Sequence, residues 1–184
     1  MSAPDATTAS LEARLPSADA RETAFYARLK ELSIAWKAYE HPPVFTVEES
    51  QSLRGIVPGG HTKNLFLKDK KDGLWLVVAR EDQRVDLKAL SAALGSPRFS
   101  FGSGALLVEM LGVPPGSVTP FALMNDKANR VRPVLDETML AAEALNFHPL
   151  RNDRTVTVTP ADLIRFIRAC GHEPRIVALP EAAP

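Results

Sequence analysis

The chain is poor in the residues that most simple chemistries need. It has one cysteine, Cys170, in 184 residues, so no disulfide can form within it. That excludes the stapled secreted scaffolds and fits a reducing compartment. It has no excess of either charge: Lys plus Arg and Asp plus Glu are 22 each. A protein that coats nucleic acid without regard to sequence is basic, so broad DNA binding is not expected. A local basic patch that grips a short nucleic-acid end stays open. No stretch approaches the roughly 18 apolar residues of a spanning helix, so no membrane partner is expected. The N-terminus lacks a lysine-led apolar run, and so lacks the pattern of a secretory signal. These absences together give a cytoplasmic expectation. The four histidines, His41, His61, His148 and His172, are scattered without zinc-like spacing, and Cys170-Gly171-His172 is too thin to count. No metal and no cofactor is expected. There is no repeat, no linker and no composition shift to mark a second domain.

What is there suits one core. Apolar residues make up 45% of the chain and charged residues 24%, ordinary for a globular domain of this length. Residues 1–16, rich in Ala, Ser, Thr and Pro, read as a flexible tail, and residues 17–180 as the domain. Ser17 or Asp19 caps a helix whose Phe25, Leu29 and Leu32 make one buried stripe. Ile34 to Glu40 reads as a strand, and Thr46-x-x-Glu49 as a capping box for a short helix ending at Gly55. Asp86 and Ser103 each open a further helix, closed by Gly95 and Gly112. Val118 to Met124 reads as a strand that turns at Asn125–Asn129 and returns over Arg130 to Leu135. Asp126 is expected to form that turn. Ala144–Phe147 and Thr155–Thr159 are further strands. Thr159-Pro160-Ala161-Asp162 opens the last long helix, and Arg175–Leu179 could add an edge strand. Hairpins and interleaved helices predict an α/β (α+β) domain: a mixed, mainly antiparallel sheet or partial barrel with helices packed on it. Nothing suggests a coiled coil or a long exposed apolar helix, and a monomer is expected.

The centre of the chain is Gly59-Gly60-His61-Thr62-Lys63-Asn64-Leu65-Phe66-Leu67. It leads into the charged loop Lys68–Gly73 and a second apolar run, Leu74–Ala79, the pattern of a β-hairpin. Side chains alternate along a strand, so Thr62, Asn64 and Phe66 share one face, while Lys63, Leu65 and Leu67 share the other. A lysine on an apolar face either snorkels to the edge or is held for chemistry. Cys170, near the end of a helix whose dipole would raise its pKa, reads as a core residue.

Four motifs in order carry a resemblance: Gly59 to Leu67; Gly116-Ser117-Val118-Thr119-Pro120, a G-x-x-x-P loop; Asn125-Asp126 followed by Val131 to Asp136; and Phe147-His148-Pro149-Leu150 with Asn152 close behind. Together they resemble the YbaK/prolyl-tRNA-synthetase-associated editing domains, over about Ser17 to Leu179. They are most similar to the free-standing ProXp-ala/PrdX type, which deacylates alanyl-tRNA(Pro).

The resemblance implies a compact YbaK-like domain and an aminoacyl-tRNA hydrolase that acts on the acceptor end of mischarged tRNA(Pro), with prolyl-tRNA synthetase a possible partner. It makes Lys63 the expected catalytic residue, paired with Asn64. Alternation alone puts Asn64 on the other side of the strand, so sharing one site would need a bulge or the strand's start. The lysine's charge could stabilise an oxyanion, anchor the substrate or, with a depressed pKa, help move a proton; sequence does not choose among these. The resemblance also sets Gly116, Ser117, Val118, Thr119 and Pro120 against the terminal adenosine and ester, and brings His148, beside Phe147, to the pocket. The expectation is thus a small cavity with the Lys63 amine on one side and the Gly116 turn on the other. Lys68, Lys70, Lys71, Arg80 and Arg84 are candidates for acceptor-stem phosphates. Two other readings stay open: a non-catalytic tRNA- or DNA-binding module of this fold, and a hydrolase for another small aminoacyl ester, such as cysteinyl-tRNA(Pro) or a seryl-tRNA.

Overall fold

The structure is a computed structural model that describes residues 5–43 and 57–180. The capping box at Thr46–Glu49 lies outside the described residues.

The central hairpin is β2 (Gly60–Asp69) and β3 (Leu74–Arg80), antiparallel from Thr62 opposite Arg80 to Lys68 opposite Leu74. One carboxylate closes its loop. Asp69 Oδ1 accepts the amides of Lys71 at 2.8 Å and Gly73 at 2.9 Å, and Oδ2 accepts the Trp75 indole N–H at 3.0 Å. Asp72 turns the chain with φ 63°, a conformation that Asp tolerates better than most residues.

The other strands are β1 (Lys37–Glu40), β4 (Phe99–Phe101), β5 (Val131–Asp136), β6 (Leu145–Phe147), β7 (Arg154–Val158) and β8 (Arg175–Val177). The sheet runs β1-β7-β6-β2-β3-β5-β8, with β4 pairing β2 off that path. It is mixed. Pairs β1–β7, β2–β3, β2–β4 and β6–β7 are antiparallel; β2–β6, β3–β5 and β5–β8 are parallel. On the side away from β3, the long strand β2 meets two short partners. β6 pairs with Gly60 and His61, and β4 with Leu67 to Asp69. Among the described residues no strand pairs with that edge between Thr62 and Phe66.

Helices cover both faces, and their boundaries follow their caps. Helix α2 (Ala18–Glu31) starts at Ser17, whose hydroxyl accepts the Ala20 amide; α3 (Leu87–Leu94) starts at Asp86 and stops at left-handed Gly95; α4 (Gly104–Leu111) starts at Ser103 and stops at left-handed Gly112; α5 (Pro160–Ala169) starts at Thr159. Phe66, Leu76 and Val78 point to the larger core, with Phe25 and Leu29 of α2, Leu107 and Leu111 of α4, and Leu163, Phe166 and Ile167 of α5. Leu67, Trp75, Val77 and Ala79 point the other way, against Leu90 and Leu94 of α3, Phe99 and Leu179. The period-2 alternation of the hairpin thus feeds two cores, one on each face.

Two expectations are corrected. Residues 6–12 are not a loose tail: Asp5 caps a helix, α1 (Ala6–Glu12), whose Thr8 is buried where Gly104 and Pro115 meet it. Nor is Val118–Met124 a strand. Pro120–Asn125 forms a 3-10 helix, because Thr119 Oγ1 accepts the Phe121 amide and proline sits at the first helical position. Its Phe121, Ala122 and Leu123 are fully buried, so an apolar run that alternates poorly serves a short helix as well as a strand. Asp126 does form the turn, accepting the Val131 amide at 2.7 Å.

Candidate active site

Strand β2 sends Lys63 and Asn64 to opposite faces. Lys63 leaves on the side of Leu65 and Leu67, and its ammonium donates to the carbonyl of Gln83, just past the end of β3. Burial lowers the lysine pKa, while the nearby carboxylates of Asp82 and Glu81 act to raise it. The amine is therefore held by a backbone oxygen, with two acidic residues nearby, at a partly buried position.

Asn64 leaves on the face of Phe66. Its Oδ1 is buried and has no hydrogen-bond partner, the kind of orphan acceptor that folded proteins rarely leave without a reason. Its backbone faces the unpaired stretch of the β2 edge. Gly60 N–H donates to Ala144 O at 2.8 Å and Phe66 O accepts Gly102 N–H at 2.9 Å, so even-numbered residues look toward that edge. Thr62, also even, sends its hydroxyl to the Asn146 carbonyl at 2.7 Å.

The Gly116–Pro120 loop lies on the larger-core side, the face of Asn64 and not that of Lys63. Gly116 has φ 87°, the left-handed conformation that glycine adopts freely. The Ser117 amide closes the turn onto Pro114 O, Val118 packs on the larger core, and Ser117, Thr119 and Pro120 are buried. Part of its polar equipment is therefore engaged in shaping the chain. Phe147 joins it through the Phe121 ring, edge-on at 5.4 Å. The His148 ring accepts from or donates to nothing in that group. It lies 3.1 Å from Arg154 O and 6.4 Å from the His41 ring, and burial lowers its pKa.

The basic candidates divide between the two ends of the hairpin. Lys68, paired with Asp72 at 2.6 Å, and exposed Lys70 and Lys71 sit at the loop. Arg80 and Arg84 sit at the opposite end, roughly 20 Å away along the strands at about 3.3 Å per residue.

Two hollows open at the Gly60 end of β2. The smaller, about 230 Å³, has a floor of Met139, Ala142 and Leu145 and a rim of His61, Arg80, Glu81, Asp82 and Thr138. The larger, about 550 Å³, is lined by Trp36, Lys37 and Tyr39, by Thr157–Thr159 at the end of the strand paired with β1, and by Pro58–Gly60 and Ala142–Ala144. They share Gly60 and Ala142. Lys63 lines neither hollow; Glu81 and Asp82, whose carboxylates act on its amine, are among the residues of the smaller one. Neither hollow is lined by Gly116–Pro120, which packs on the larger-core face of β2, whereas Lys63 leaves on the other face. Sequence reading missed Glu81, Asp82, Trp36 and Tyr39. The adjacent acidic pair directly after a buried strand was the available signal.

A model of the Aminoacyl-tRNA editing domain matches residues 41–166. The chain belongs to that family. Its relatives include the Prolyl-tRNA editing protein ProX of Acetoanaerobium sticklandii, 36% identical over 162 residues that cover 88% of this chain and 98% of that one. Another is the Prolyl-tRNA synthetase associated domain-containing protein 1 of Danio rerio, 42% identical over 152 residues, 82% of this chain and 83% of the relative. Among solved structures, a candidate trans-editing enzyme for prolyl tRNA synthetase superposes with TM-score 0.69 at 19% identity, over 88% of this chain and 98% of that one; it speaks to the fold. The YbaK-like architecture expected from the motifs is therefore the one found.

Proposed function

We propose that this protein is a trans-editing aminoacyl-tRNA deacylase that hydrolyses the ester of mischarged tRNA(Pro), with alanyl-tRNA(Pro) its main substrate. The observation that carries this reading is the near full-length relationship to a prolyl-tRNA editing protein, ProX, that the chain covers almost end to end. The smaller hollow supports the choice of acyl group. At about 230 Å³ it falls below the roughly 300 Å³ where drug-sized pockets begin, and its floor is apolar.

An aminoacyl ester is already reactive, so placement and charge can carry most of its hydrolysis. In this reading Lys63 is the catalytic residue. Its amine, beside Glu81 and Asp82, meets the negative charge that develops on the ester carbonyl oxygen as water adds to it, or the standing charge of the last phosphate. Asn64 stands on the other face of β2, where its buried Oδ1 has no hydrogen-bond partner. The Gly116–Pro120 loop and Phe147 hold that face's packing, and His148 contributes to the scaffold with His41. Arg80 and Arg84 lie at the hollow end and are the first candidates for acceptor-stem phosphates, ahead of Lys68, Lys70 and Lys71. The protein works as a monomer in the cytoplasm, alongside prolyl-tRNA synthetase, and needs no cofactor. The test is release of radiolabelled amino acid from tRNA(Pro) charged in turn with alanine, cysteine, serine and proline. Selective loss of alanine supports the reading; tRNA binding without turnover of any ester contradicts it.

A further inference from the structure

Lys63 is held by a carbonyl that belongs to a turn, and the turn is tied to a distant part of the chain. Gln83 comes three residues after the end of β3. Its backbone amide donates to the Arg80 carbonyl at 3.2 Å, which closes the turn, and its carbonyl accepts from the Lys63 ammonium. The residue is buried, and its side-chain Nε2 donates to the Leu179 carbonyl at 3.2 Å, 96 residues further on. The other side-chain atom, Oε1, is buried with no hydrogen-bond partner. A buried glutamine with one group unmatched costs stability that an apolar side chain of the same length would not. What the side chain does make is the bond to Leu179, and an unmatched buried group calls for an explanation. Leu179 is itself fixed. Its side chain is buried in the second core with Ala79, the residue opposite Lys63 in the hairpin. Its amide donates to Asp136 Oδ1 at 3.3 Å. Oδ2 of that fully buried carboxylate accepts from the Met139 amide at 3.0 Å and from the Thr138 hydroxyl.

Leu179 thus ties together two segments that line the smaller hollow. Its N–H reaches Thr138 and Met139 through Asp136, and its C=O reaches the turn that carries Glu81 and Asp82 through Gln83. We propose that Gln83 is a positioning residue for Lys63: its side chain, anchored on Leu179, sets the place of the carbonyl that holds the Lys63 amine. The inference rests on the deacylase reading, in which that amine acts on the ester, and adds to it the source of the amine's placement. A lysine carries its charge on a flexible four-carbon stem, so the charge serves a reaction only where something fixes it. Here the seat is a backbone oxygen, and the side chain of the same residue holds that oxygen in place from behind. Glu81 and Asp82, whose carboxylates act on the same amine, stand on the same turn.

The test is Gln83→Met, which keeps the length of the side chain and removes its donor. With alanyl-tRNA(Pro), kcat is expected to fall about tenfold while KM stays within about twofold, the pattern of a group that is misplaced for the transition state alone. The NMR resonance of the Lys63 Cε, assigned in isotope-labelled protein by its absence from Lys63→Ala, should shift in Gln83→Met toward those of exposed lysines. Leu94→Ala, in the same core on α3, is the control. It should lose more stability than Gln83→Met and keep both kcat and the Lys63 resonance. An unchanged kcat or an unchanged Lys63 resonance in Gln83→Met overturns the assignment. So does an equal fall of kcat in Leu94→Ala, which would make Gln83 one more packing residue. A measurement on the wild type needs no variant to fold: the Gln83 side-chain amide should exchange its hydrogens with solvent at least about tenfold more slowly than a glutamine in a free peptide. Exchange at the free rate overturns the anchor. Turnover of no aminoacyl ester by the wild type overturns the deacylase reading, and the Lys63 resonance in Gln83→Met then decides the positioning by itself.

Discussion

Lys63 and Asp69 are the two residues of β2 on which single substitutions speak most clearly, and they report on different things. Lys63 is held by one backbone carbonyl and stands at the margin of the second core. Lys63→Ala is therefore expected to cost little stability while lowering deacylation of alanyl-tRNA(Pro) by at least about a hundredfold, within the range of removing one preorganised electrostatic contact. Matching thermal melts for wild type and variant, with the rate lost, is the outcome expected. Asp69 is the converse. Burial works to raise its pKa, but the Trp75 indole and the Gly73 and Lys71 amides outweigh it and hold the carboxyl below its ordinary value. A depressed carboxylate contributes stability that is present above the unfolded-state pKa and is lost as pH falls through the folded value. Urea melts from pH 6 down toward pH 3 should show this loss in the wild type and a weaker one in Asp69→Asn. At pH 7 Asp69→Ala should lose about 2 kcal/mol, since it strands three donors. The alternation that separates Lys63 from Asn64 was legible in the sequence. That Lys63 would find the Gln83 carbonyl was not, because Gln83 reaches it only through the reversal after β3.

At the scale of elements, cap residues and period-2 runs were the readable part. Ser17, Asp86, Ser103 and Thr159 cap helices as their side chains predict, and the two apolar runs pair as the expected β2–β3 hairpin. What failed was the reading of apolar bulk without its surroundings. Ala6–Glu12 carries too little of it to look structured, yet Thr8 is buried because Gly104 leaves room for it. Val118–Met124 carries enough to look like a strand, yet Thr119 and Pro120 start a 3-10 turn there. Deleting residues 1–15 should therefore lower the thermal midpoint measurably; an unchanged midpoint would show that α1 contributes nothing. The end of β4, where it pairs with β2, gives a sharper case. A Cβ at Gly102 would come within 2.5 Å of the Phe66 ring, which is buried and has nowhere to go. Gly102→Ala should cost about 1–3 kcal/mol by overpacking, read from the shift in the denaturation midpoint at constant m-value.

For the whole molecule, the motif order was enough to give the family and the fold, whereas the position of the site depended on long-range topology. The Gly116 loop packs on the larger-core face of β2, and Lys63 leaves on the other face. The larger hollow is assembled from chain segments more than a hundred residues apart, at Trp36–Tyr39 and Thr157–Thr159. Zero net charge also has a consequence at this scale. Substrate binding should depend only modestly on salt, through a few local phosphate contacts. Neutralising Arg80 and Arg84 together should flatten the salt dependence of KM more than neutralising Lys70 and Lys71, because only the first pair lies at the hollow end. The central claim is that this chain removes a small wrong amino acid from tRNA(Pro) with help from the Lys63 amine. It is tested most directly by timing release of the amino acid from alanyl-tRNA(Pro) and prolyl-tRNA(Pro), with wild-type protein and with Lys63→Ala. The account predicts rapid release of alanine by the wild type, little release of proline, and near-background release of either by the variant. Equal release of alanine and proline, or full activity in a folded Lys63→Ala protein, would contradict it.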